Sequence, residues 1–523
     1  MGPQAMTVKL GLLFSILFAA TALAQPAFEN RSQAMNITHQ YLGGWEYFVG
    51  GGVATFDCDS DLYPDLFIAG GEGTSVLLRN EGAGRGEVVI LEDATPNELA
   101  LRGVLGAYPL DVDSDGILDL FVMRVGENKL LRGGPDCTFT EFDTVGFDGG
   151  TRWTTAFSAT WETGKNLPTL AIGNYVDRND PDGPFMACDT NFLMRPEDGQ
   201  YITTPLLPAF CPLSMLFTDW GRFGQQDLRI SNDRHYYVRN GSEQMWEMRP
   251  TPRLYSPIDG WQDYSLWGMG IASRDITGDG LPEVFLSSMG DQKLQWLDES
   301  ADGPTYLNVP YARGTTAQRP FTGGDGRPST GWQIEFGDVD NDGRDDVFIA
   351  KGNVEQMPDS AMDDPNNLLM QAANGTFVEN GLKAGIATMD RSRGAALVDL
   401  NLDGRLDLVV VNRRAPVEIY QNVTTHTASW LLLDVHQDGI NPQAIGGWIE
   451  VTDGIKTWVR EITVGGGHAS GNAALVHVGL GEAGAVRLRM TWPDGIISSW
   501  VDVAPNQILR VARKDGEITA SPL

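Results

Sequence analysis

The chain is short of positive charge: 38 Lys and Arg face 69 Asp and Glu in 523 residues, a net charge of −31. Phosphate backbones and anionic lipid surfaces are held by basic surface, so this balance argues against nucleic acid and membrane surfaces as partners. Long apolar runs are also scarce. The one sizeable run, residues 10–22, follows Lys9, is too short to span a bilayer comfortably, and ends at Ala22-Leu23-Ala24. It reads as an export signal over 1–24, with the mature chain opening at Gln25 and Met6 as an alternative start. No membrane insertion is expected, and no cysteine follows the cleavage site to carry a lipid. The chain is expected in the periplasm, at the cell surface or secreted.

Cysteine and histidine are rare as well. The four cysteines, Cys58, Cys137, Cys188 and Cys211, contain no CxxC, and the six histidines form no HxxH. That spacing excludes the usual zinc sites, and no GxSxG marks a serine hydrolase. An exported chain oxidises its thiols, and four cysteines allow three pairings.

What is abundant is aspartate in a fixed frame. Asp111, Asp113, Asp115 and Asp119 occupy positions 1, 3, 5 and 9 of a loop with Gly116 at position 6, followed at once by an apolar run. Such a loop offers the clustered oxygens that a hard cation such as Ca²⁺ takes at about 2.3–2.6 Å. An EF-hand needs a Glu at position 12 and flanking helices; here position 12 is Val122, inside a strand-like run. The frame recurs as Asp57, Asp59, Asp61, Asp65; as Asp338, Asp340, Asp342, Asp346; as Asp399, Asn401, Asp403, Asp407; and as Asp275, Thr277, Asp279, Glu283. A depleted copy runs Asp219, Gly221, Phe223, Asp227, and the unit opening at Trp161 has lost its ligands. Seven units with steps of 50 to 63 residues, each with short strands and Gly/Asn/Pro turns, predict an all-β, seven-bladed propeller. The five better loops are expected to hold one Ca²⁺ each, about five in all.

The seventh unit lacks a fourth strand, and Phe28-Glu29-Asn30 looks like Phe377-Val378-Glu379-Asn380 of the sixth. Residues 27–38 are therefore expected to close the last blade, giving a propeller over 25–422. From about Val423 the period stops, and alternating segments with turns at Gly465-Gly466-Gly467 and Trp492-Pro493-Asp494-Gly495 predict a small, sandwich-like β domain over 423–523. In a four-stranded meander the A–B and C–D turns share one end. That places Cys58 and Cys137 on the aspartate face and Cys188 and Cys211 on the other, so Cys58–Cys137 and Cys188–Cys211 are the expected pairs. Free thiols or a bound metal are the alternatives.

The Asp loop followed by Asp-Leu-Phe-Ile (65–68) or Asp-Val-Phe-Ile (346–349) resembles the FG-GAP/VCBS repeat of integrin α-subunit propellers. Asn441-Pro442-Gln443-Ala444-Ile445-Gly446, Val476-His477-Val478-Gly479-Leu480-Gly481 and Trp492-Pro493-Asp494-Gly495 resemble the ASPIC/UnbV domain. In that order they are similar to the cartilage acidic protein-like family and its bacterial members. The resemblance implies calcium binding and an extracellular, adhesion-type interaction role, and it names no ligand. The sequons at Asn36, Asn240, Asn374 and Asn422 matter only in a eukaryotic secretory pathway; a bacterial origin is favoured.

On the face opposite the metal loops, the ends of the second strands and the loops after them gather Asn174, Asn232, Arg234, His235, Tyr236, Arg319, Asn412, Arg413 and Arg414. Two readings stand: the arginines pair with acids of their own loops, or they form a basic pocket for an extracellular glycan, matrix or envelope-protein ligand. The expected function is binding by a monomer, without catalysis. The alternative is a polysaccharide lyase or hydrolase with His235 as base.

Overall fold

Apolar, β-branched runs cut by Gly, Asp and Asn at every turn favour short antiparallel strands over helices. The computed structural model describes residues 2, 25–181, 183–184, 186–233, 241–425, 428–514 and 516–523. Among these, seven antiparallel blades follow in order. The second blade is built of Arg102–Leu110, Asp119–Arg124, Lys129–Gly134 and Thr138–Glu141. Each blade's inner strand packs on that of the next, and Arg391–Val398 of the last packs on Val53–Phe56 of the first, closing the ring. In the last blade the outer strand is Phe28–Asn30, paired antiparallel with Glu418–Asn422. That pairing ties the beginning of the propeller to its last blade.

The chain after 428 forms two further four-stranded sheets, one around Ser429–Gln437 and one around Trp448–Thr452, with their own apolar core of Leu433, Ile449, Val451, Leu488 and Trp492. This domain docks on the aspartate-loop end of the propeller. Arg222 pairs with Glu450 at 3.2 Å, Asn341 O accepts from Gly481 N at 2.9 Å, and Leu402 packs with Leu432 and Ile508.

Residues 463–474 do something a turn does not. They leave the second sheet and run through the centre of the ring. Ala159 N donates to Val464 O at 3.1 Å, Tyr108 Oη to Gly466 O at 3.1 Å, Gly466 N to Met215 O at 2.6 Å and Gly467 N to Ile271 O at 2.7 Å. His468 N donates to Gln333 Oε1, Val53 N to Ser470 Oγ at 3.2 Å and Ala473 N to Thr55 O at 2.8 Å. Ser470 Oγ also lies where a Cβ on Gly394 would come within 2.7 Å, so every blade meets the segment. The expectation that Gly465-Gly466-Gly467 marks an ordinary turn is thus corrected. Its φ values of +132°, +73° and +58° suit glycine, and a Cβ on Gly465, Gly466 or Gly467 would lie within 3 Å of Ser158, Ile271 or Gln333.

The same crowding explains the small residues of the inner strands. A Cβ on Gly52 or Gly106 would lie 1.8 or 1.9 Å from Ala469 O. His468 is fully buried there, 5.0 Å ring to ring from Trp332, and accepts from Gly50 N at 3.0 Å. Burial, aided by nearby Arg393, pushes its pKa down to about 3, so it stays neutral.

Gly106→Ala should therefore displace backbone and not merely a side chain. A loss of about 1–3 kcal/mol or more is expected on thermal or urea melting. Gly484→Ala, with no atom near its added Cβ, should stay within about 0.5 kcal/mol.

Candidate metal loops and the face opposite them

One hydrogen-bond pattern is repeated in the loops between first and second strands. The carboxylate at position 1 caps the amides that follow: Asp111 accepts from Asp115 N at 3.1 Å and Gly116 N at 2.8 Å, and Asp399 from Asp403 N at 3.1 Å and Gly404 N at 2.6 Å. Asp338 repeats this with Asp342 N and Gly343 N, and Asp275 with Gly278 N and Gly280 N. The carboxylate at position 9 ties the loop to the third strand. Asp119 accepts from Val112 N at 2.7 Å and Gly133 N at 2.9 Å; Asp65, Asp346 and Asp407 make the equivalent pairs. Positions 4 and 6 are left-handed, which is why glycine recurs at 6. In the first loop position 6 is Leu62 at φ +76°, held by packing against the Leu402, Leu432 and Ile508 cluster.

The depleted loop shows that this wiring needs no metal. Asp219 still accepts from Phe223 N and Gly224 N at 2.7 Å, and Asp227 from Met248 N at 2.9 Å. The remaining capacity of Asp227 is filled by Trp220 Nε1 at 2.9 Å and Tyr255 Oη at 2.8 Å. In the third unit Glu162 takes Arg195 Nε at 2.6 Å and Thr169 Oγ1 at 2.8 Å. A cation is argued by positions 3 and 5 instead. The oxygens of Asp57, Asp59 and Asp61, of Asp111, Asp113 and Asp115, and of Asp338, Asp340 and Asp346 lie within 4.8 Å of one another in each group. Asp59 Oδ1, Asp113 Oδ1 and Asn401 Oδ1 are buried without a hydrogen-bond partner, as atoms awaiting a cation would be. These residues fit a hard cation. In four loops an arginine shares the same carboxylates: Arg79 on Asp59 at 2.5 Å, Arg132 on Asp113 and Asp115 at 2.8 Å, Arg344 on Asp342 and Arg405 on Asp403.

Burial, with mutual repulsion added, raises the carboxyl pKa values. Asp61, Asp111 and Asp275 rise to about 6, Asp65, Asp342 and Asp399 to about 7, and Asp119 and Glu283 to about 8. Asp57, Asp340 and Asp403 are also raised, and Asp338, Asp346 and Asp407 lie well above the usual range.

Cys58 is bonded to Cys137 and Cys188 to Cys211. The first bridge starts inside a metal loop, at position 2, and reaches the neighbouring blade.

On the opposite face Arg413 and Arg414 pair with an acid, as the first of the two readings held, and the asparagines are buried. Asn174, Asn232 and Asn412 are buried, and their amides are spent on Thr190 O, Ser242 O and Pro416 O, so they anchor loops and do not meet a ligand. Arg413 is buried too, donating to Tyr47 O at 3.0 Å and Gly43 O at 2.7 Å and pairing with Glu355. Arg414 and Arg391 share Glu355, and Arg319 donates to Gly326 O in its own loop. Arg234, His235 and Tyr236 lie outside the described residues. The feature missed in the sequence is Trp45, 42% exposed, edge-on to Trp153 at 5.0 Å, which is edge-on to Tyr175 at 4.9 Å. Its signal was an aromatic after Gly43-Gly44, in a stretch assigned to no strand.

Residues 57–122 and 275–349 match the FG-GAP-like repeat family, and residues 437–518 match the ASPIC and UnbV family. Cartilage acidic protein 1 of Mus musculus and of Homo sapiens is 26% identical over 167 residues, covering 30% of this chain and 23% of the relative. Among solved structures, BBS1N in complex with ARL6DN has a TM-score of 0.44 at 8% identity, over 78% of this chain and 99% of that one. YCF48 bound to D1 peptide has 0.41 at 9%, over 77% and 99%.

The raised carboxyl groups make metal-free stability fall with pH. Their folded pKa values exceed the unfolded ones near about 4, so their stabilising protonation is present at low pH and lost as pH rises through about 7 to 8. In chelator, stability should fall between about pH 7 and 8.5, by up to about 1.4 kcal/mol per pH unit for each proton that the folded chain holds and the unfolded chain does not, and the melting temperature should fall with it. The buried histidines, His39, His468 and His477, are lowered and already neutral in that window, so they do not mask the trend. A flat or rising profile would contradict the assignment.

Proposed function

We propose that this chain of FG-GAP-like repeats and a C-terminal ASPIC and UnbV domain is an exported, calcium-stabilised binding module for an extracellular glycan or protein. One observation carries the reading: the C-terminal domain covers the aspartate-loop end and fills the axis, leaving the opposite end for a partner. On that end Trp45 is a rigid aromatic platform, and stacking on a sugar's apolar face or on a partner's side chain is what such a ring does well. Arg391 and Arg414 around Glu355 add a charged border.

Calcium would be held by the loops opening at Asp57, Asp111, Asp275, Asp338 and Asp399. When bound, it supplies positive charge that offsets the crowded carboxylates. Two of these loops lie directly beneath the C-terminal domain. A Cβ on Gly479 would come within 1.9 Å of Asp338 Oδ2, and His477 Nε2 meets Gly404 O at 3.2 Å. Metal binding would therefore also brace the docking of the two domains. The two disulfides suit an oxidising compartment.

Calorimetry on the mature chain should find about five Ca²⁺, and Asp113→Ala should remove one without disturbing the rest. Each ion at about 100 times its dissociation constant adds roughly 2.7 kcal/mol, so chelation should lower the melting temperature clearly. Fewer than two ions, or indifference to chelator, would sink the metal reading. For the binding face, a glycan and protein array should yield a ligand whose affinity falls about tenfold or more in Trp45→Ala, about 1.4 kcal/mol, with melting unchanged. An unaffected ligand would place the site elsewhere.

A further inference from the structure

Between the propeller and the C-terminal domain lies a cavity of about 680 Å³, within the range that holds small molecules. Its walls include Ser273 and Arg274 of the fifth blade, Gln333 and Glu335 of the sixth, and Arg460 and Asn472 of the C-terminal domain. Exposed Ser60, Gly116 and Arg510 also line it, so it reaches the surface. We propose that this cavity binds a small hydroxylated oxyanion, of the sugar-acid or sugar-phosphate class, gripped by Arg274 and Arg460.

The donors are there and their acceptors are not. Arg274 Nε is buried with no hydrogen-bond partner, and its charge is met at longer range by Asp345, Glu335 and Asp275. Arg460 is 3% exposed and donates to Asp345 Oδ1 at 3.1 Å and Val459 O at 3.0 Å, while its Nε has no partner. Ser273 Oγ is likewise buried and unpartnered.

The acids of the cavity are mostly committed. Glu461 takes Thr218 Oγ1 at 2.6 Å and Asp219 N at 2.7 Å, and Asp434 takes His436 and Arg510. Asp345 faces Arg460, Arg274, Lys456 and His477 together. Glu335 accepts from Leu397 N at 3.1 Å, and burial holds its pKa up at about 7. Asp57 and Asp111 line the cavity too, each accepting amides of its own loop, so what is left open is the pair of unpartnered Nε groups of Arg274 and Arg460, and a guanidinium fork matches a carboxylate or phosphate in shape. The cavity is many times the size of a simple ion, and Ser273 Oγ offers a partner for a hydroxyl group, whereas Gln333 Oε1 is taken by His468 N and Asn472 Oδ1 by Thr55 Oγ1 and Ala474 N.

The test uses the mature full chain in saturating calcium, with glucuronate, a hexose phosphate, glucose and inorganic phosphate as probes. Calorimetry and melting should show binding by at least one anionic sugar, none by glucose, and weaker binding by inorganic phosphate. Whichever anionic sugar binds identifies the head group as carboxylate or phosphate. Arg274→Gln should weaken it at least tenfold, and Arg274→Lys, which keeps the charge but loses the fork, should restore it only in part, with ligand-free melting of each variant recorded so that loss of folding is told from loss of binding. No binding by either sugar anion, inorganic phosphate binding as tightly as the sugar, or undiminished binding in a folded Arg274→Gln would each overturn the proposal. Trp45→Ala should leave this binding untouched, which separates it from the opposite-face reading.

Discussion

Everything in this structure depends on filling the axis of the ring. Seven inner strands converge on a narrow column that is too polar to leave without hydrogen-bond partners, because inner strands turn amides and carbonyls toward it. The protein fills the column with backbone. Residues 463–474 offer their own amides and carbonyls to Met215, Ile271, Ala159 and Thr55, so the blades are joined by hydrogen bonds as well as by apolar packing. That solution demands glycine on both sides: Gly465, Gly466 and Gly467 on the inserted segment, Gly52 and Gly106 on the blades. Propeller and C-terminal domain are therefore one structure in energetic terms, since neither surface of the axis is satisfied alone.

The aspartate loops divide two tasks that a motif runs together. Positions 1 and 9 build the loop by accepting backbone amides, and they persist at Asp219 and Asp227, where the side-chain oxygens of positions 3 and 5 have given way to Gly221 and Phe223. Position 3 carries what is left over, a buried oxygen on each of Asp59, Asp113 and Asn401 with nothing to accept from, while position 5 accepts an amide of its own loop, as Asp61 does from Tyr63 N and Asp115 from Ile117 N. The repeated aspartates at 1 and 9 would thus be present in a propeller that bound no metal at all. Only the orphaned atoms and the shared arginines speak to a cation.

This division explains what was legible in the sequence. The seven units and the β domain could be read because loop wiring imposes a fixed frame: Asp at 1 and 9, a left-handed residue at 6, an apolar strand at once after. Phe28–Asn30 resembles Phe377–Glu379 because both occupy outer-strand positions in their blades. The axial segment could not be read, since Gly-Gly-Gly is written the same way in a turn and in a backbone column, and its partners are up to 418 residues away. The opposite face misled for a related reason. Asn174, Asn232 and Asn412 stand at strand ends, where an amide can serve either a ligand or the neighbouring loop. Local sequence does not distinguish a backbone acceptor close at hand, such as Pro416 O at 3.0 Å, from a ligand.

The two ends of the ring are built differently. The carboxylate loops and the Cys58–Cys137 bridge gather at the domain interface, while the exposed Trp45 stands at the other end on a stack of Trp153 and Tyr175, with the Cys188–Cys211 bridge and the Arg413–Glu355 pair. The two ends still share one rigid connection. His468, at the centre of the inserted segment, accepts from Gly50 N, and Gly50 lies in the stretch that leads from Trp45 into the first inner strand. Arg393, which donates to Phe48 O at 2.8 Å and lies 4.0 Å over the Trp332 ring, touches the same stretch from the seventh blade. A disturbance of the C-terminal domain therefore has a direct mechanical route to the Trp45 end, through five residues of backbone and one buried imidazole held neutral. Because that imidazole cannot take up a proton until far below neutral pH, the route transmits position and not charge.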